Sequence, residues 1–150
     1  MLAGADGRIG PMRTYDLDTA AARIREVHPI LVALRDDRER LTRDRAALDA
    51  LTGDDAATAA ARTAREAEIR ATALRMKAAV TRLAGWSVAL RDIPTGLIDL
   101  PALVNGVPVW LCWRLGEPER IDWWHAADAG FAGRRPIAEL PGPAAGARLS

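Results

Sequence analysis

The chain of 150 residues sets 21 Lys+Arg against 20 Asp+Glu, a formal net charge of +1, so no global field gathers a phosphate backbone or an anionic lipid surface, and neither nucleic acid nor membrane is the expected partner. This length suits one domain able to bury most of its apolar surface. The single cysteine, Cys112, excludes an internal disulfide, Met1–Arg13 has no signal-peptide core, and no apolar run reaches the roughly 18 residues that span a bilayer, which together place the protein in a reducing cytoplasm.

Residues 1–11 carry Gly4, Gly7, Gly10 and Pro11 without periodicity and are expected to form a disordered leader. A single α+β domain should follow over 12–140, with a helical hairpin at 16–84 and a β-meander with its closing loop at 86–137. The Pro- and Gly-rich residues 141–150 read as a disordered tail.

Asp16 stands where an N-cap belongs, with Asp18 in the first turn, so a helix should begin near Leu17. Its apolar stripe runs through Leu17, Ala20, Ile24, Val27, Leu31, Leu34, Leu41, Leu48 and Leu51, with Arg38 and Arg45 in the intervening slots, which predicts a far end that is solvated or, as the alternative, covered by another subunit. Pro29 interrupts this pattern, and a kink or break is expected there, with Pro29 as the first residue of a second helix if the chain breaks. Thr52-Gly53-Asp54-Asp55 offers a glycine C-cap and an aspartate N-cap in a turn so short that the next helix must fold straight back. That helix, 56–84, is mostly Ala and Arg, with a stripe at Ile69, Ala73, Met76, Val80 and Leu83, and Gly85 should end it.

Beyond Trp86 the β-branched and aromatic content rises. Asn105-Gly106 between apolar runs predicts a two-residue type I′ hairpin joining strands Leu97–Val104 and Val107–Leu115, and a turn at Gly116–Glu119 leads to a third strand, Arg120–His125. Pro101 and Pro108 must then sit where the ladder needs no donor. Counting outward from the hairpin sets Asp99 opposite Cys112 and Pro101 opposite Trp110. A four-residue second loop adds Trp123 opposite Cys112 and His125 opposite Trp110. One sheet face then carries Asp99, Trp110, Cys112, Arg114, Trp123 and His125, and the other, packed on the helices, carries Ile98, Leu100, Leu111, Trp113 and Trp124. After His125 a glycine-punctuated run through Gly130 and Gly133 should wrap back over the sheet.

The polar face holds the chemistry. Cys112 and His125 allow a nucleophile and base, or metal ligation together with Glu117 or Asp99. The plainer reading makes Cys112 a small buried hydrophobe and His125 a hydrogen-bonded structural residue. The spacing matches no standard metal signature, so the residues call for no cofactor; zinc, iron or haem are the candidates if Cys112, Glu117 and His125 bind one. Arg114 and Arg134 are candidates to clamp an anion, with Gly133 giving close approach beside Arg134 and Asp128 nearby. Trp110 and Trp123, on the face away from the helices, are placed to stack on a planar ligand or a partner.

Gly96-Leu97-Ile98-Asp99-Leu100-Pro101-Ala102, Leu111-Cys112-Trp113-Arg114-Leu115-Gly116-Glu117, Trp124-His125 and Gly130–Ile137 resemble the motifs of the small bacterial proteins grouped as domain of unknown function 2203, and Tyr15-Asp16-Leu17-Asp18 and His28-Pro29 fit more weakly. The resemblance covers about residues 12–137 and implies no activity. It departs from the family at Leu100 and at Ala126, where an acidic residue tends to follow the histidine, which weakens any scheme that needs a carboxylate next to His125.

These readings converge on an α+β domain in which a long antiparallel helical hairpin packs on a three-stranded antiparallel meander. Because the helices carry more apolar stripe than so small a sheet covers, a homodimer is expected. The function expected is a non-catalytic module binding a small molecule or a protein partner through Asp99, Trp110, Arg114, Trp123, His125 and Arg134. The alternative is a small enzyme or a metal or haem protein using Cys112, His125 and the nearby carboxylates.

Overall fold

In the computed structural model, which describes residues 13–141, Asp16 caps the first helix as its position requires: Oδ1 accepts from the Thr19 amide at 2.7 Å while the Thr19 hydroxyl accepts from the Asp16 amide at 2.9 Å. The expected leader and all of the expected tail but Pro141 lie outside the described residues. Helix α1 runs Leu17–Asp49 and α2 runs Ala56–Gly85, capped by Asp55 through the Thr58 amide at 2.8 Å. Among the described residues no helix is long and apolar enough to cross a membrane.

Pro29 neither breaks α1 nor starts a second helix. An interior proline costs about 3 kcal/mol, but Ile24, Val27, Leu31 and Leu34 on either side are fully buried, at about 1.5–3 kcal/mol each. The packing therefore outweighs the lost backbone bond, and the proline ring sits on the exposed side. Arg38 and Arg45 are exposed on the single chain.

Helix α2 is buried less and on a slightly different stripe. Thr72 and Leu83 are buried, with Ile69, Met76 and Ala79 half-buried between them, whereas Ala73 and Val80 face outward. In so alanine-rich a helix the larger apolar residues alone mislead about which side faces the neighbour. Two turn residues also differ from expectation. Gly53 lies beyond the cap of α1, which is Ala50, and takes its positive φ of 104° within the loop. Gly85 is still helical. It is Ser87, at φ 59°, that turns the chain, with its amide donating to the Ala84 carbonyl at 2.9 Å and the Val88 amide to that of Leu83 at 3.0 Å, the paired bonds of a Schellman ending.

The sheet has five strands rather than three, all antiparallel and in sequence order: β1 Ala89–Asp92, β2 Leu97–Val104, β3 Val107–Trp113, β4 Trp123–Ala126 and β5 Arg135–Pro136. The added strands are short edges of four and two residues, too brief to show a period. Asn105 and Gly106, at φ 53° and 80°, form the expected type I′ turn, and the register is the one counted from it: Asp99 opposite Cys112, Pro101 opposite Trp110, Cys112 opposite Trp123 and Trp110 opposite His125. Strand β4 starts at Trp123 rather than Arg120, because the loop between β3 and β4 folds on itself: the Trp113 indole donates to the Pro118 carbonyl at 2.7 Å and the Arg114 amide to Glu117 at 3.1 Å. The Pro101 carbonyl accepts from the Tyr15 amide at 2.8 Å, so its nitrogen lies on that same edge, past the end of β1, and the ladder to β3 loses nothing.

One face of this sheet is the core. Ile98, Leu100 and Ala102 of β2, Val109, Leu111 and Trp113 of β3, and Trp124 of β4 are buried in one cluster with the stripe of α1 and Leu83 of α2. Tyr15 ties the two halves together by donating to the Trp86 carbonyl at 2.5 Å. Gly96 is required for close approach: with φ at 65°, a Cβ there would fall 2.4 Å from Leu115 Cγ.

Candidate functional site

Alternation along the strands turns Asp99, Trp110, Cys112 and His125 to the face away from the helices. There they are not left in solvent. Residues 127–131 lie beside them, and Arg91 and Leu97 flank the side, lining a half-open pocket of about 460 Å³. Its floor is chemically unusual, since Asp99, Cys112 and His125 are 3%, 1% and 2% exposed.

The hydrogen bonds define the floor. A carbonyl only accepts, so His125 Nδ1, 2.9 Å from the Ala126 oxygen, carries a proton and donates it. That leaves Nε2 facing Asp99 Oδ2 at 3.0 Å, with one proton held between the two. Arg91 Nε donates to the same oxygen at 2.9 Å, and its guanidinium lies 4.9 Å over the Trp110 ring. The other carboxylate oxygen, Asp99 Oδ1, is buried without a partner among the described residues. Leaving such a group unsatisfied costs about 1–3 kcal/mol or more, and the weak thiol donor of Cys112, hydrogen-bonded to this carboxylate, offsets only part of it.

Cys112 completes the floor. Burial, and then the charge of Asp99, push its thiol up from 9.0 to about 12, so without a bound cation it stays protonated at neutral pH. Donor atoms of Asp99, Cys112 and His125 all lie within 4.8 Å of one another.

The remaining candidates form a second group beside the cavity. Glu117 accepts from Arg134 at 3.1 Å, with an ion-pair contact of 2.8 Å, and pairs with Arg114 at 3.6 Å, so it is not among the converging donors and stays with the arginines. Arg134 pairs with Glu117 and not with Asp128, and lies 4.7 Å over Trp123 and 4.6 Å over Phe131, while Arg114 lies 5.0 Å over Phe131. The positive charge expected to clamp an anion is therefore shared with a carboxylate, Arg134 buried against aromatic rings and Arg114 half in solvent. His28, expected at the surface or the kink, is half-buried, 2.8 Å from Glu119 and edge-on to Trp113.

Sequence reasoning missed Arg91. The register shifts between Leu90 and Asp92 of β1, and Arg91 is the residue at that bulge, turned toward Asp99. The only trace of it in sequence is the short apolar run Val88–Leu90 ahead of Arg91 and the Asp92–Gly96 turn, and a bulge breaks the parity by which a face is counted.

Residues 13–137 match the family described as "Uncharacterized conserved protein (DUF2203)", and the chain belongs to that family. No curated protein and no solved structure matches it.

Proposed function

We propose that this member of the DUF2203 family is a small-molecule-binding domain whose site is the cavity on the polar face of the sheet. The observation that carries this reading is the buried, chemically unusual lining of a half-open pocket of about 460 Å³, in which Asp99 keeps one carboxylate oxygen without a nitrogen or oxygen partner among the described residues. That volume is the size of a metabolite pocket, and an acceptor held buried and unpaired is matched by a ligand that brings a donor. Trp110 and Phe131 line the pocket with aromatic edges and faces that already carry arginines, and Arg91, half in solvent over Trp110, offers a cation at the mouth. The ligand is thus a molecule with a hydrogen-bond donor at its buried end and a planar or aliphatic body. An isolated anion fits less well, because Arg114 and Arg134 are already paired with Glu117.

Calorimetric titration with a panel of donor-bearing planar metabolites tests this. At least one class is expected to bind one per chain, and Trp110→Ala is expected to weaken that binding tenfold or more. Heats indistinguishable from dilution across the panel, or binding untouched by Trp110→Ala, would sink the proposal.

A further inference from the structure

We propose that Asp99, Cys112 and His125 bind one divalent transition-metal ion of the zinc type, with a fourth coordination position open to the cavity. This rests on the cavity being a ligand site and names what stands at its floor.

Three adjacent strands bring one oxygen, one sulfur and one imidazole nitrogen within 4.8 Å, all from buried residues. A tetrahedral ion with bonds of about 2.0–2.1 Å to N and O separates those two ligands by about 3.3 Å. Nε2 and Oδ2 stand 3.0 Å apart, so an ion in place of the shared proton asks them to open by only a few tenths of an ångström. The outer contacts also suit a metal. His125 gives its other N–H to the Ala126 carbonyl, which fixes the tautomer that leaves Nε2 as the ligating atom, and Asp99 is steadied by Arg91. Asp99 also keeps its second oxygen, Oδ1, buried without a nitrogen or oxygen partner among the described residues, beside the Cys112 thiol.

Charge balances as well. The Asp99 carboxylate and a Cys112 thiolate together neutralise a divalent ion, while His125 binds as a neutral ring. On binding, the Cys112 thiol proton and the proton held between Asp99 and His125 leave to solvent. A mixed S, N, O donor set of three selects zinc-like ions over calcium or magnesium, and three protein ligands with one open position is the arrangement of zinc sites that act on a bound molecule rather than only hold a fold.

The test is cobalt(II) titration of the full chain after dialysis against a chelator, with folding followed by circular dichroism. A thiolate-to-cobalt charge-transfer band is expected, saturating at one ion per chain and displaced by zinc. Cys112→Ser is expected to abolish the band, and Asp99→Asn and His125→Ala to weaken binding by more than about 100-fold. The near-isosteric Cys112→Ser and Asp99→Asn keep the test decisive if His125→Ala does not fold. Absence of the band from folded wild-type protein overturns the assignment, as does zinc affinity, read by a competing chromophore, that is equal in wild type and in Cys112→Ser. The two readings fail separately. Metabolites that bind chelated protein lacking the cobalt band leave the cavity standing and remove the metal, whereas the band with no metabolite binding does the reverse.

Discussion

The two faces of the sheet are made from the same strands and do opposite things. On one face Ile98, Leu100, Leu111, Trp113 and Trp124 meet the stripe of α1, and among the described residues no buried unpartnered side-chain N or O atom lies there. On the other, Asp99, Cys112 and His125 are as thoroughly buried, but beside a thin loop and around a carboxylate oxygen without a nitrogen or oxygen partner among the described residues. Both faces keep their side chains from water, so burial alone does not tell stability from function. What separates them is whether every buried polar group has found its partner.

If the faces divide the work in this way, truncation on the first should cost stability. Trp113 is fully buried and its indole also closes the loop between β3 and β4 at 2.7 Å. Trp113→Ala is expected to lower the unfolding free energy in urea by about 3–5 kcal/mol, enough to consume much of a marginal total of about 5–15 kcal/mol. A loss below 1 kcal/mol would break the comparison at its stable side.

The next largest effect lies on the other face and concerns reactivity. With the thiol of Cys112 moved from 9.0 to about 12, chelator-treated protein holds about a thousandfold less thiolate at neutral pH than an ordinary cysteine. Iodoacetamide should alkylate it correspondingly slowly, with a rate still rising above pH 9. Because the folded value is raised, the thiol's contribution to stability is fully present below pH 9 and is lost as pH climbs toward about 12. The alkaline decline should be smaller in Cys112→Ala. Alkylation at the rate of a free cysteine would show the floor of the cavity open to bulk water and the two faces different in kind from the outset.

Much of this geometry is legible in the sequence, for identifiable reasons. Asn105-Gly106 permits only one kind of turn, so counting outward from it set the pairing of Asp99 with Cys112. The total spacing to Trp123 set the third strand, even though the strand ends proved shorter. Asp16 marked the start of α1 because a cap is a local device. What escaped was decided by partners far along the chain. Pro29 stays helical because of side chains packed on both sides of it. In α2, Thr72 and Ala79 face inward ahead of Ala73 and Val80, because the direction of the neighbouring helix, not hydrophobicity, chose the face. The edge strands β1 and β5 are too short for periodicity, and with β1 went Arg91. At the site itself Asp99, Trp110, Cys112 and His125 were placed together by parity. The separation of Arg114, Trp123, Arg134 and Glu117 into a neighbouring cluster was not, since it depends on how two loops fold against each other.

The smallest effect is the most discriminating. Asp99→Asn keeps the shape of the side chain and removes its charge. The amide can still donate to His125 Nε2, whose ring remains oriented by the Ala126 carbonyl, so the buried histidine keeps a partner. Arg91 loses its acceptor, but its side chain is 43% exposed and can turn to water, and an ion pair with one partner so exposed contributes little. The expected change in urea stability is therefore within about 1 kcal/mol, against the several lost at Trp113. A cost as large as that of Trp113→Ala would mean that Asp99, His125 and Arg91 form a structural clamp, and the polar face would then be a second core. A near-neutral result, paired with loss of cobalt binding in the same variant, would mean that the carboxylate is kept in the interior for what it binds.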